Sequence, residues 1–266
     1  MNSILVPTDF STCAGYAVHA AMQLAKKTKS AVHLYHTLSP TKDDSDQQQA
    51  YEHAETNLHA VKTQHPDIDI FIKIEKGPLV DNLGKYTAHH TIDMIIMGSQ
   101  GASNRSLFYL GSNTQKVIRE VHCPVLVIKK PLSKVDFSKV AFASSFNWDD
   151  RPAFEKFKDF VKHFIPEIHL LAIQTTSLFD APAIVTLEAM EEFKKLAQPL
   201  ACHIHLKREG NVDTGILDFV HANDIQLIGI SNVHRHPVKR IFSGSNVEAL
   251  VNHAEVPVLS IDYLRS

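Results

Sequence analysis

Apolar residues in this chain fall into short continuous runs separated by longer amphipathic stretches. Runs at 3–7, 31–37, 68–74, 93–97 and 124–128 read as strands, and the stretches at 13–28, 44–64, 79–89 and 112–121 read as helices. The remainder repeats the alternation, with strands at 139–143, 168–173, 202–207, 226–230 and 257–261 and helices at 152–163, 182–197, 213–222 and 245–251. Continuous apolar strands divided by helices of this length predict an α/β fold of parallel β-α-β units with both sheet faces covered. Ligands in such sheets bind at the carboxyl ends of strands, where the strand order reverses. In the first half that edge gathers Pro7-Thr8-Asp9, the end of the second strand near His36-Thr37, and the segment after the fourth strand.

That last segment carries the strongest local signal. Gly98 and Gly101 follow the apolar run 92–97, and after nine further residues Gly111-Ser112-Asn113 opens a predicted helix. Glycine lets backbone N–H groups approach an anion, and a helix start adds unpaired donors and a positive dipole end. The spacing is neither a Walker loop nor Gly-x-Gly-x-x-Gly.

A partial second copy adds weight. A shift of 133 residues pairs Gly111-Ser112-Asn113 with Gly244-Ser245-Asn246, Pro124-Val125-Leu126 with Pro257-Val258-Leu259, and Gly77 with Gly210. A shift of 136 pairs Thr8-Asp9-Phe10-Ser11 with Ser144-Ser145-Phe146-Asn147. The chain therefore reads as two related domains, 1–132 and 133–266, joined where Pro131, Ser133 and several lysines interrupt the apolar pattern.

Composition narrows the class. The net charge of −2, with acidic and basic residues interleaved, leaves no electrostatic footprint for nucleic acid. No apolar run approaches the roughly 20 residues that span a bilayer. No basic segment with an apolar signal region precedes the strand at the start, and the three cysteines, Cys13, Cys123 and Cys202, form no Cys-x-x-Cys. Both point to a reducing, cytoplasmic setting with space-filling thiols.

Three segments together resemble the universal stress protein family: Gly98-x-x-Gly101 followed by Gly111-Ser112, the opening Ile4-Leu5-Val6-Pro7-Thr8-Asp9-Phe10-Ser11, and His122-Cys123-Pro124-Val125-Leu126-Val127-Ile128. The resemblance covers nearly the whole chain, as a tandem pair. It implies two Rossmann-like domains of the adenine nucleotide alpha hydrolase type, each a five-stranded parallel sheet flanked by helices. It also implies intrachain pairing through 125–128 and 258–261, with a homodimer compatible. The ligand implied is ATP, with or without Mg2+. Pro7, Thr8 and Asp9 would face the adenosine end, the Asp9 carboxylate accepting from a ribose hydroxyl or the adenine amine. Thr37 would flank the base and Met97 pack near it or the ribose. Gly98, Gly101, Gly111, Ser112 and Asn113 would wrap the phosphates through backbone N–H groups and the Ser112 hydroxyl, and Arg105 could add charge at the terminal phosphate. For Asp9, a cap on the following helix is a second role that the residues allow.

The second half departs from this pattern. Ser231 and His234 stand where the first half has Gly98 and Gly101, and Ser145 stands for Asp9. Side chains there take room from a phosphate, so this half is not expected to bind ATP in the same mode. Among the 17 histidines, His203-x-His205 shares one strand face, yet no cluster shows metal-ligand spacing. No nucleophile elbow, paired metal carboxylates or phosphate-loop lysine is present. The expected role is a nucleotide-sensing regulatory protein. A slow ATPase and a scaffold that docks partners are the alternatives.

Overall fold

The computed structural model describes residues 1–40, 43–100, 111–175, 181–231 and 249–262. The chain divides into two compact units, Met1–Val135 and Asp136–Ser266.

The amino-terminal unit runs β1 (Ser3–Pro7), α1 (Thr12–Thr28), β2 (Ala31–Leu38), α2 (Asp44–Gln64), β3 (Ile70–Lys76), α3 (Leu79–His89), β4 (Met94–Gly98), α4 (Ser112–Glu120) and β5 (Val125–Ile128). Its strands lie in the order β3-β2-β1-β4-β5 and every recorded pairing is parallel. The order reverses between β1 and β4. Ile4, Leu5 and Val6 of β1 are wholly buried, because helices cover both faces of a central parallel strand. β3 starts two residues later than its apolar run, since Ile68 is spent in a turn whose N–H donates to His65 O (3.2 Å).

The second unit repeats the plan with β6 (Lys139–Ala143), α5 (Arg151–Val161), β7 (Glu167–Gln174), α6 (Ala183–Ala197), β8 (Cys202–Arg208), α7 (Val212–Ala222), β9 (Leu227–Ser231) and β10 (Val258–Ile261). Its order is β8-β7-β6-β9-β10, again parallel. Of the helix expected at 245–251, residues 245–248 lie outside the described residues, and 249–253 are helical. Among the described residues no helix is long and apolar enough to cross a membrane.

The duplication is visible in backbone conformation. Phe10 (φ 60°) and Phe146 (φ 53°) both occupy the left-handed region, as do Lys29 (φ 56°) and Ile165 (φ 52°). Each pair is 136 residues apart. In both units a hydroxyl two residues earlier holds the phenylalanine: Phe10 N–H donates to Thr8 Oγ1 (3.1 Å) and Phe146 N–H to Ser144 Oγ (2.9 Å).

The units differ in how the first helix meets the sheet. The inward face of α1 is mostly alanine, Ala14, Ala17, Ala20, Ala21 and Ala25, whereas α5 turns Phe154, Phe157 and Phe160 inward. Small residues let a helix backbone come close, and large ones hold it off. A Cβ on Gly98 would stand 2.6 Å from the backbone carbon and oxygen of Cys13 in α1. In the second unit the tight spot moves to Gly229, where a Cβ would meet the Phe157 ring at 2.3 Å.

Position 33 in the first unit and 169 in the second both carry histidine on the strand beside the central one. His169 Nδ1 lies 3.0 Å from His205 Nε2, their rings stack at 5.1 Å, and His203 sits 5.2 Å away. Burial first, then His205 and His203, push the His169 imidazole down to about 4, against a smaller opposing pull from Glu167. Burial, then His90, also lowers His33. An unfolded histidine takes up its proton near pH 6.5, while folded His169 stays neutral, so the unfolded state binds more protons as pH falls. Stability of the second unit is expected to drop between pH 6.5 and about 4. Urea midpoints across that range should show the loss, with a shallower slope in His169→Gln; equal slopes would remove His169 from the account.

Candidate functional site

β1 ends in Pro7, and Thr8 N–H still donates to Tyr35 O of β2 (2.9 Å) before the chain turns away. Phe10 then adopts its left-handed conformation, and Ser11 caps α1, its Oγ accepting from Ala14 N–H (3.3 Å). The cap is therefore Ser11. Asp9, two residues earlier, is exposed, and its Oδ1 accepts from Ser11 N–H (3.0 Å), a local turn that fixes the carboxylate at the mouth of the strand.

Directly across the sheet, β4 ends in Met97 and Gly98. The close packing of α1 requires glycine at 98, for the reason given above. Its carbonyl accepts from the buried Thr114 hydroxyl of α4 (2.9 Å). This bond ties the first turn of α4 to the end of β4. Gly111 N–H donates to Ser99 O (2.7 Å), closing the base of the loop.

These segments surround one cavity at the reversal of strand order. Pro7, Thr8, Asp9, Thr37, Met97, Gly98, Gly111, Ser112 and Asn113 all line it, together with Ala14, His36, Leu79, Gln100 and Thr114. Gly101 and Arg105 lie outside the described residues.

Two of the expected site glycines are engaged within the unit itself. Gly111 was expected to offer its N–H to phosphate, but Ser99 O takes that donor. The open donors are instead the N–H groups of Ser112, Asn113 and Thr114, which have no partner among the described residues. They form the first turn of α4, whose cap Gly111 brings no side-chain bond. Gly98 was expected to leave room for a phosphate; close packing against the α1 backbone by itself also calls for glycine there.

His36, Thr114 and Ala14 went unassigned in the sequence. His36 Nδ1 lies 2.7 Å from Thr8 O, so this nitrogen carries the proton, because a carbonyl can only accept. Its ring packs 4.7 Å from Phe10, and His53 of α2 approaches Phe10 edge-on at 6.3 Å. The signal available for His36 was its place at the carboxyl end of β2. Thr114 looks in sequence like any first-turn residue.

The cavity wall is nearly neutral. Among the described lining residues Asp9 carries the one fixed charge. Cys13, beside it in α1, has a thiol pushed up by burial, with a Gln100 backbone bond opposing and Asp9 raising it further. It is a protonated, space-filling thiol rather than a nucleophile. The arrangement offers polar contacts at the β1 and β2 ends and a helix-dipole donor set at the α4 end, about as a nucleotide would use them.

In the second unit the matching loop bonds to itself. Ser144 Oγ donates to Asp150 (2.7 Å), Asn147 N–H donates to the same carboxylate (3.1 Å), and Asn147 Nδ2 donates to Ser145 Oγ (2.6 Å). Ser231, where the first unit has Gly98, keeps a buried hydroxyl without a partner among the described residues. His234, Arg235 and Gly244 lie outside the described residues.

The tie between β4 and α4 is open to test. Thr114→Val leaves the buried Gly98 carbonyl unpaired and is expected to cost about 1–3 kcal/mol by denaturant titration. Gly98→Ala is expected to destabilise by about 1–3 kcal/mol through overpacking, even with no ligand present. A Gly98→Ala protein as stable as the parent would mean that α1 can retreat from β4.

The sequence model of the universal stress protein family matches residues 1–129 and again 148–261. Universal stress protein MJ0531 of Methanocaldococcus jannaschii is 27% identical over 141 residues, covering 49% of this chain and 83% of that protein. A crystal structure of a universal stress protein from Archaeoglobus fulgidus superposes with a TM-score of 0.79 at 23% identity, covering 98% of this chain and 96% of its own. A functionally unknown protein of Pseudomonas aeruginosa gives 0.73 at 19% identity, over 98% and 92%. The two structural likenesses carry the fold, and the twofold match of the family model carries more: the chain belongs to the universal stress protein family, with two such domains in tandem.

Proposed function

We propose that the amino-terminal unit binds an adenine nucleotide, ATP with or without Mg2+, across the cavity at the strand-order reversal, and that the protein senses this nucleotide rather than turning it over. The observation that carries the reading is the convergence of the β1, β2 and β4 ends with the open N–H groups of Ser112, Asn113 and Thr114 around one cavity. In this reading Asp9 accepts from a ribose hydroxyl or the adenine amine, with Pro7 and Thr8 beside it. Thr37 and Met97 flank the base and ribose. The α4 first turn and the Ser112 hydroxyl take the phosphates, and Gly101 and Arg105 complete the phosphate end. The described wall, with Asp9 its one fixed charge, supports a sensor: a helix dipole and amide donors hold an anion, while hydrolysis needs a positioned water and a charge clamp, and no such clamp stands among the described lining residues.

The second unit does not share the mode. Its loop donors are consumed by Asp150, and Ser231 replaces Gly98. The same reading places the protein in the cytoplasm and pairs the two units through their fifth strands, which support this by each ending its own sheet order. A homodimer is compatible with it. Bound nucleotide would act by changing a surface that partners read.

Calorimetry with ATP is expected to give one nucleotide per chain. Asn113→Glu, placing a negative charge at the α4 N-terminus, should weaken ATP about tenfold or more while barely moving adenosine. Asp9→Ala should weaken both. No binding heat, or two equivalent sites per chain, would sink the proposal.

A further inference from the structure

Under α7 the second unit buries two histidines that share one hydrogen. β7 and β8 pair in parallel with His169 opposite His203 and Leu171 opposite His205, so three imidazoles stand on one sheet face. The sequence showed His203-x-His205 alone; the third ring arrives from the neighbouring strand. His169 is 8% exposed, His205 is half-buried and His203 is exposed. Phe219 of α7 is buried over the first two, its ring 6.0 Å from His169 and 4.7 Å from His205.

The bond between the two rings leaves no place for a further proton. His169 Nδ1 and His205 Nε2 lie 3.0 Å apart, so one carries a hydrogen and the other a lone pair. His169 Nε2 is buried and has no partner among the described residues. A bare lone pair costs less there than an orphaned N–H, so the hydrogen belongs on His169 Nδ1. A proton added to His169 must go to Nε2. A proton added to His205 goes to its Nε2, which then donates, and the hydrogen of His169 moves to its own Nε2. Both routes end with a buried N–H that lacks an acceptor, beside a positive charge.

The surroundings offer that charge little relief. Lys139 of β6 opposes it, as do His203, His205 and Lys207 of β8, while Glu167 of β7, which favours it, is exposed. On α7, Asp218 and His221 are exposed. Asp213, in the first turn of α7, has a carboxyl pushed up by burial against a smaller pull from His253, so acid favours its burial and works against the histidines.

The face can open on either of two sides. Lifting β8 breaks a parallel ladder that runs from Ile168–Cys202 to Gln174–Arg208. α7 keeps its own hydrogen bonds and is seated through Gly215, Ile216, Phe219 and Val220, so it is the element that gives way. We propose that the second unit carries an acid-operated latch, in which a proton taken up by the His169–His205 pair unseats α7 from the β7–β8 face while the sheet stays folded. The first unit lacks this device. There His33 Nδ1 bonds to the Tyr86 hydroxyl of α3 (2.8 Å), which can donate or accept, so a hydrogen on that nitrogen finds an acceptor. The latch does not depend on the nucleotide reading, and it is a local event apart from the loss of whole-unit stability in acid.

Peptide-resolved hydrogen exchange of the full chain, corrected for the intrinsic effect of pH, tests the latch. An eleven-residue helix does not persist without its packing, so unseating α7 exposes its amides. An uncovered histidine takes its proton near pH 6.5 and the covered His169 at about 4, so protection at 212–222 should fall about tenfold per pH unit across that window. The fall should depend little on dilute urea, while 139–143 and 227–231 stay protected. His169→Gln and, independently, His169→Leu should flatten the slope at 212–222. Equal loss at 139–143, 212–222 and 227–231 overturns the proposal, as does a loss that grows with urea like whole-unit unfolding. A parent slope of zero, or the parent slope in both variants, also overturns it.

Discussion

How closely the first helix of each unit can approach its sheet governs most of what differs between the two halves. Alanines line the inward face of α1, so its first turn reaches Gly98 backbone to backbone. That approach brings the β1 and β4 ends, the α1 cap and the α4 start around one space. In the second unit three phenylalanines of α5 occupy the same layer and the chain accommodates one of them at Gly229. Ser231 stands at the strand end where the first unit has glycine, and its hydroxyl is buried. Serine in place of glycine at the strand end and the larger helix face thus occur together in the second unit.

The described wall of the amino-terminal cavity presents dipoles more than charges. Its described wall holds a single carboxylate, Asp9, already turned toward Ser11. The donor end is the unsatisfied first turn of α4, held in place by the Thr114 bond to the β4 terminus. Fixed neutral donors need no counterion when empty and reorganise little when filled.

The alternation of strands and helices was readable because parallel strands buried on both faces leave unbroken apolar runs, as at Ile4-Leu5-Val6 and Val125-Leu126-Val127-Ile128. The cavity was readable to the extent that it is made of strand ends, which the same runs locate. Three things were not. The true destination of the Gly111 N–H depends on Ser99 lying opposite it, a tertiary fact with no local mark. The role of Gly98 depends on Cys13, which lies in another element. The turn at Trp148–Asp150 is set by a buried carboxylate whose partners lie within six residues, but Asp149-Asp150 reads in sequence as ordinary solvated acid.

The paired left-handed residues carry a wider meaning. Ile165 tolerates φ 52° although it is β-branched and 81% exposed, a conformation that costs roughly 1–2 kcal/mol for any residue with a Cβ. Its twin Lys29 bends the chain identically, and Phe10 and Phe146 form a second matched pair. Neither hinge relaxed when the side chains around it were replaced. The duplicated scaffold keeps its joints at matching places, while the helix between each pair and the strand it packs on differ together, so a segment moved between the halves would need its strand partner moved with it.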